Sequence, residues 1–86
     1  WVVNEGFAAQ FIGVERKLEA DYGIKVDRSK TNINGSGISL GHPVGCTALR
    51  IIVSLIYEMK RQGCKIGGAS LCVGGGPAMA SLWELC

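Results

Sequence analysis

The stretch of sequence that decides the fold is KIGGASLCVGGGP, residues 65–77. Its first nine residues form a short, almost uninterrupted apolar run, which is typical of a β-strand covered on both faces. The glycines and the proline that follow predict a turn, and residues 79–85 alternate in polarity as a second strand would. We therefore expect a β-hairpin over this part of the chain.

Two amphipathic helices are predicted upstream of the hairpin. Residues 46–62 carry a broad apolar face with Gly63 as a C-terminal stop, and residues 5–20 show a similar pattern with Asn4 as the expected N-cap. The wider face consists of Ala48, Ile51, Ile52, Leu55, Ile56 and Met59. With an apolar strand over residues 1–3, this order predicts an α/β fold in which helices pack on a layered sheet.

The segments between these elements are polar or rich in glycine. Residues 21–35 are expected to form a connection with one short extended piece around residues 31–33. Residues 35–45, GSGISLGHPVG, contain four glycines and a proline, too many for a helix interior, so we expect sharp turns there. A Gly-x-Gly pattern in this segment lacks a preceding strong strand and a following acidic residue, so a dinucleotide site is not predicted.

Composition narrows the class of protein. The chain has 86 residues, 48% of them hydrophobic, and a small domain this apolar is expected to expose apolar patches unless another chain or domain covers them. We therefore expect residues 1–86 to be a portion of a larger core that lacks its natural start. The net charge of +2 comes from scattered basic residues, which argues against nucleic acid as a partner.

Membrane association and extracellular disulfides are not predicted either. No apolar run approaches the roughly 20 residues that span a bilayer, and no targeting segment is visible. The four cysteines lack CxxC spacing, so no metal site is expected and a reducing compartment is the simplest interpretation. We expect a cytoplasmic protein, with an organelle matrix as the alternative.

Three polar residues occupy similar places in the predicted fold. Asn4 follows the first strand, His42 lies in the glycine-rich segment before the second helix, and Cys72 ends the buried strand. Strand ends and following helix starts gather at one edge of an α/β sheet, so these side chains could converge there. Taken singly, each has a plain structural interpretation: a cap, an exposed histidine, and a small buried hydrophobic residue.

The glycines after Cys72 favour a functional interpretation of that cysteine. A residue without Cβ allows backbone N–H groups to approach a reacting carbonyl and to stabilise a developing oxyanion. Gly74 is the best candidate donor. Cys46, Cys64 and Cys86 have no comparable surroundings.

Three segments together resemble the thiolases, the acetyl-CoA acetyltransferase family. They are NEGFA at residues 4–8, NGSGISLGHP at residues 34–43 and CVGGG at residues 72–76, in the family's order. The resemblance covers essentially the whole chain but corresponds to the C-terminal portion of a family member. It implies thiolytic cleavage or Claisen condensation of 3-ketoacyl-CoA and acetyl-CoA through an acyl-cysteine, with a coenzyme A thioester as substrate and no permanently bound cofactor.

The resemblance also assigns roles to residues. His42 matches the histidine that activates the nucleophilic cysteine, and Cys72 matches the general acid/base acting on the second acyl group. Asn4 matches the residue that positions a water in one oxyanion hole, and Gly74 matches the N–H donor of the other. The nucleophile belongs to the N-terminal half of the family, so none of the four cysteines here matches it.

Gly6 and Phe7 match positions that line the pantetheine channel. Gly6 departs from the family's usual alanine, which adds backbone freedom beside that channel. As partners, the resemblance implies the remainder of a thiolase chain and a homodimer or homotetramer. We therefore expect the 86 residues alone to be inactive.

Two other functions stay open on the residues themselves. One is a cysteine hydrolase in which Cys72 is the nucleophile and His42 its base, although no third orienting group is evident. The other is a non-catalytic α/β module that binds a protein partner through its apolar helix faces.

Overall fold

The computed structural model describes residues 1–86 as a small α/β layer with a three-stranded sheet. The elements in chain order are β1 (Val2–Val3), α1 (Ala8–Tyr22), a 3₁₀ turn (Arg28–Lys30), α2 (Gly37–Leu40), α3 (Thr47–Gln62), β2 (Ile66–Cys72) and β3 (Ala78–Glu84). The α/β class predicted from the sequence is confirmed. Both long helices end at glycines in the left-handed conformation, Gly23 and the predicted stop Gly63.

The sheet has the strand order β1-β2-β3. β1 runs parallel to β2, with Val3 opposite Ser70, and β2 runs antiparallel to β3, with Cys72 opposite Ala78. The predicted hairpin is therefore confirmed. Since β2 is the central strand, its C-terminal end lies beside the end of β1, and the residues that follow both strands meet at one edge of the sheet.

Helix α3 packs against one face of β2. Ile51, Leu55 and Met59 are buried at four-residue spacing and contact Ala69, which matches the predicted apolar face. The helix approaches very closely at Gly67, where a Cβ atom would lie 2.6 Å from Sδ of Met59. Glycine at this strand position is thus required by packing rather than by a turn.

The prediction that β2 is covered on both faces is wrong for this chain. Residues alternate across a strand, so Gly68 and its partner Leu82 point away from α3. The side chain of Leu82 is 83% exposed, and α1 contains no buried residue. The second face therefore has no helix layer within these 86 residues.

Asn4 is not the N-cap of α1, which corrects the expectation from sequence. Its backbone N–H donates to the carbonyl of Ser70 at 2.8 Å and so continues the parallel pairing of β1 with β2. The chain is still extended at this point, and α1 begins only at Ala8, with Phe7 in the cap position and no side-chain cap. The predicted start at residue 5 was therefore too early.

The connecting segments also differ from expectation. The expected extended piece at residues 31–33 is not a strand, and the regular structure there is the 3₁₀ turn over Arg28–Lys30, which Asp27 caps. The glycine-rich segment contains α2, one helical turn closed by Leu40 N–H donating to Ser36 and Gly41 N–H donating to Gly37.

Several site types are absent from the described residues 1–86. All four cysteines are free, and no three histidine, cysteine or acidic side chains cluster as metal ligands would. None of the helices combines the length and apolar character that crossing a membrane requires.

Candidate active site

A cleft of about 270 Å³ lies between α1 and the adjoining ends of the three strands. Its walls are mainly apolar, with a few polar groups, as in sites that orient a small ligand. The lining residues are Val3, Asn4, Gln10, Val14, Ser70, Leu71, Cys72, Ala78, Met79 and Ala80. Of the three polar residues predicted to converge, Asn4 and Cys72 therefore share one cleft.

Asn4 is the polar centre of this cleft. Its side chain is only 1% exposed, and neither its amide oxygen nor its amide nitrogen has a hydrogen-bond partner. Leaving a buried amide unpaired costs about 1–3 kcal/mol, so natural folds rarely do so without a reason. Asn4 therefore holds an unused donor group and an unused acceptor within the wall of the cleft.

Cys72 is the last residue of β2 and is partly buried. Its thiol forms no disulfide and no hydrogen bond, and pairing with Ala78 holds its backbone in the sheet. Cys72 thus lines the cleft from the end of a paired strand, a support that suits a group that must be oriented toward a reacting atom.

The turn after Cys72 presents unused N–H groups. Gly74, Gly75 and Gly76 have φ values of 95°, 66° and 100°, a run of left-handed conformations that other residues rarely adopt. Val73 N–H closes the turn onto the Pro77 carbonyl at 2.9 Å, whereas the N–H of Gly74 has no acceptor. The predicted donor is therefore free to bind an anionic oxygen.

His42 lies on the exposed segment between α2 and α3 and is not among the residues that line the cleft. Its Nδ1 atom is 2.7 Å from Oγ1 of Thr47, which donates its single proton to the Pro43 carbonyl at 2.9 Å. Oγ1 of Thr47 must therefore accept a hydrogen bond from Nδ1–H of His42. This tautomer leaves Nε2 with a lone pair, the form that a general base requires.

The two residues predicted to line a pantetheine channel differ in their surroundings. Gly6 lies beside the buried amide, since a Cβ there would be 3.8 Å from Nδ2 of Asn4 and 3.0 Å from Oε1 of Gln10. Phe7 is 75% exposed at the start of α1 and does not line the cleft. Its ring is an apolar surface available to a ligand outside the cleft.

Sequence reasoning missed the residues that hold these groups in place. Thr47 is fully buried in the first turn of α3. The sequence signal for it was a hydroxyl at the start of an apolar helix, five residues after the histidine. Glu5 and Asn32 bind each other across 27 residues, with Asn32 Nδ2 donating to Oε1 at 2.8 Å, a contact that no local pattern reveals.

A second carboxylate, on α3, anchors the residue that directly precedes the glycine-rich segment. Asn34 Nδ2 donates to Oε2 of Glu58 at 2.9 Å, and Arg61 and Gln62 also donate to that carboxylate. Hydrogen bonds from Arg61, then from Asn34 and Gln62, lower the pKa of Glu58 to about 2. The anchor is therefore charged at neutral pH.

Comparison with known proteins identifies one family throughout. The family described as "Thiolase, C-terminal domain" matches residues 1–85. A 3-ketoacyl-CoA thiolase of Bacillus subtilis is 45% identical over 84 residues, which are 98% of this chain and 20% of that protein. A mitochondrial 3-ketoacyl-CoA thiolase of Homo sapiens is 46% identical over 78 residues, 91% of this chain and 18% of that protein.

Solved structures agree with the sequence comparison. An acetyl-CoA acetyltransferase from Syntrophomonas wolfei superimposes with a TM-score of 0.94 at 68% identity, over 98% of this chain and 21% of that one. The Bacillus anthracis acetyl-CoA acetyltransferase superimposes with a TM-score of 0.86 at 53% identity, over 98% of this chain and 20% of that one. The chain thus spans about a fifth of the length of the relatives it matches.

Proposed function

This chain belongs to the thiolase family, and we propose that it supplies acid/base and oxyanion-binding groups to an acyltransferase acting on coenzyme A thioesters. The reaction is thiolytic cleavage of a 3-ketoacyl-CoA or, in reverse, Claisen condensation with acetyl-CoA. The names of the relatives, 3-ketoacyl-CoA thiolase and acetyl-CoA acetyltransferase, support this substrate class. The observation that carries the proposal is the cleft that Asn4, with its buried and unpaired amide, and Cys72 line together.

Each polar group has a distinct task in this proposal. Cys72 removes a proton from the α-carbon of the second acyl group during condensation and returns it during cleavage. Asn4 holds a water or a thioester oxygen with its free amide, and Gly74 N–H binds the oxygen of the other acyl group. His42 takes the proton of the nucleophilic thiol through Nε2, since Nδ1 is occupied by Thr47.

The nucleophilic cysteine and most of the coenzyme A site belong to the remainder of the parent chain. The difference in length from the relatives supports that remainder as a partner. We also propose assembly as a homodimer or homotetramer, which the exposed apolar side chains favour. The cytoplasmic or organelle-matrix location stays a prediction.

The proposal is tested in the intact parent chain by separating the two half-reactions. Cys72→Ser should slow condensation far more than acyl transfer to the enzyme, whereas His42→Asn should slow acyl transfer by about 10²-fold or more. Acetoacetyl-CoA thiolysis and acetyl-CoA exchange measure the two steps. Equal losses in both steps for Cys72→Ser would count against its role, and turnover within a few-fold for His42→Asn would exclude that histidine as the activating base.

Cysteine reactivity gives a second test that does not depend on turnover. A cysteine that acts as a base spends part of the cycle as a thiolate, so Cys72 should be alkylated faster than Cys46, despite the greater exposure of Cys46. Acetyl-CoA should protect Cys72 by filling the cleft. Mass-spectrometric mapping with and without the thioester decides this, and an unprotected or slower Cys72 would make it a structural residue.

A further inference from the structure

Glu5 follows the buried Asn4 directly and bridges the connection before the glycine-rich segment to the segment itself. Its Oε1 accepts from Nδ2 of Asn32 at 2.8 Å, and its Oε2 accepts from the backbone N–H of Ile38 at 3.2 Å. Both of its partners are donors, so both carboxylate oxygens are needed as acceptors.

The orientation of the Asn32 amide is fixed by a third contact. Its Oδ1 accepts from the backbone N–H of Val3 at 2.8 Å, so Nδ2 must face Glu5. Its own N–H donates to the Trp1 carbonyl at 2.9 Å, and its φ of 50° is a conformation that asparagine and aspartate tolerate best. Asn32 therefore occupies the open edge of β1, and a flip of its amide would break the bond to Val3.

The segment that Glu5 holds lies directly against Asn4. A Cβ atom at Gly37 would be 3.1 Å from Oδ1 of Asn4 and 2.6 Å from the backbone oxygen of Glu5. The same segment continues through α2 to His42, two residues after Leu40. A shift at Ile38 would therefore change both the wall behind Asn4 and the start of the segment that carries the histidine.

We propose that Glu5 is a positioning residue whose carboxylate joins the Asn4 segment to the His42 segment and sets the geometry of both. Glu5 lines no part of the cleft and acts only through these two neighbours. The inference rests on the proposed function for its kinetic readout. The Glu5 carboxylate must accept from both Asn32 and Ile38, and this requirement predicts which second substitution would restore activity.

The rescue follows from the hydrogen-bond inventory. In Glu5→Gln one acceptor becomes an NH₂ group, which would face a donor at either Asn32 or Ile38. In Asn32→Asp two carboxylates would face each other. The double variant Glu5→Gln/Asn32→Asp restores every contact. Its new amide at position 5 can donate to the new carboxylate at position 32 and still accept from the N–H of Ile38, while that carboxylate still accepts from the N–H of Val3.

The test measures steady-state kinetics and amide exchange in the intact parent enzyme. Each single variant should lower kcat by about tenfold to a hundredfold with KM changed less than about threefold, and the double variant should recover most of kcat. The amide hydrogen-exchange rate of the peptide containing Ile38 should rise in Glu5→Gln and fall back to the parent's rate in the double variant. As a matched control, Glu15→Gln removes an acceptor of the exposed ion pair with Arg28 and should leave kcat unchanged.

The outcomes separate this inference from the proposed function. A parent enzyme without acyl transfer would refute the proposed function, and the exchange measurement would then decide the role of Glu5 alone. An active parent whose Glu5→Gln variant keeps kcat within about twofold overturns the inference. So does a double variant no better than Glu5→Gln, whether or not the single variants fold.

Discussion

Oγ1 of Thr47 lies 2.7 Å from Nδ1 of His42 while it donates its own proton to the Pro43 carbonyl. One buried hydroxyl thereby fixes both the orientation and the tautomer of the imidazole. The bond joins an exposed side chain to the first residue of α3, so a helix packed on the sheet holds the imidazole.

Thr47→Val should impair the proposed base without unfolding the protein. Valine has nearly the same shape but cannot accept from Nδ1, so we expect a decrease of about tenfold in kcat and a changed pH–rate profile. Thr47→Ser keeps the hydroxyl and should restore most of the rate. Thr31→Val is the control, because it removes a comparable hydroxyl bond to the Asp27 carbonyl; an equal loss in that variant would contradict a specific role for Thr47.

Asn4→Leu should separate stability from function. Leucine approximates the shape of asparagine and removes a buried amide that has no partner, so the free energy of unfolding should rise by about 1 kcal/mol. Condensation should fall sharply, since the cleft loses its free donor and acceptor. Thermal unfolding and the half-reaction assay measure the two effects, and a destabilised variant would mean that the amide has a structural partner.

Two Gly→Ala substitutions should have opposite effects on stability. At Gly67 a methyl group would collide with Sδ of Met59 and Cδ1 of Leu55, so Gly67→Ala should destabilise the fold by about 1–3 kcal/mol. At Gly13, inside α1, nothing lies within 4 Å of the added Cβ, and Gly13→Ala should stabilise by about 0.5–1 kcal/mol. Denaturant titration compares the two, and equal effects would refute the close approach of α3.

Acid should weaken the Glu58 anchor over a defined range of pH. The pKa of Glu58 is lowered from 4.5 to about 2, so the folded state holds the charged form more strongly than the unfolded chain does. Its contribution to stability is complete above about pH 4.5 and is lost as the pH falls towards 2. Glu58→Gln should flatten the pH dependence of the unfolding free energy within that range, and an unchanged slope would argue against the anchor.

The parts of the fold that depend on local pattern were predictable. The face of α3 from Ile51 to Met59, the stop at Gly63 and the hairpin around the three glycines follow from periodicity and backbone preference. The start of α1 could not be predicted from the local pattern, because Asn4 still pairs with Ser70 and this pairing depends on a distant part of the chain. In the sequence alone, an asparagine at this position fits both a helix N-cap and the end of a strand, and only the partner strand distinguishes them.

In the candidate site, only the proposed reactive residues could be identified from the sequence, and their roles stay predictions. Asn4, Cys72 and Gly74 were identified by position at strand ends and by glycine content, and the structure shows which of them share a cleft. The supports were not predictable, since Glu5 meets Asn32 and Ile38 through long-range contacts. Local sequence patterns identify candidate reactive groups, whereas tertiary contacts reveal the residues that orient them.

The close approach at Gly67 links the packing of the sheet to the position of His42 through α3. Met59 contacts the sheet near one end of α3, and Thr47 binds the imidazole at the other end. The helix rises about 1.5 Å per residue, so these two residues lie about 18 Å apart along its axis. Because α3 is one continuous helix, a change of packing at Gly67 that moves Met59 would also move Thr47 and the imidazole bound to it. Substitution of Gly67 would therefore shift the position of His42 without changing any residue that contacts the imidazole.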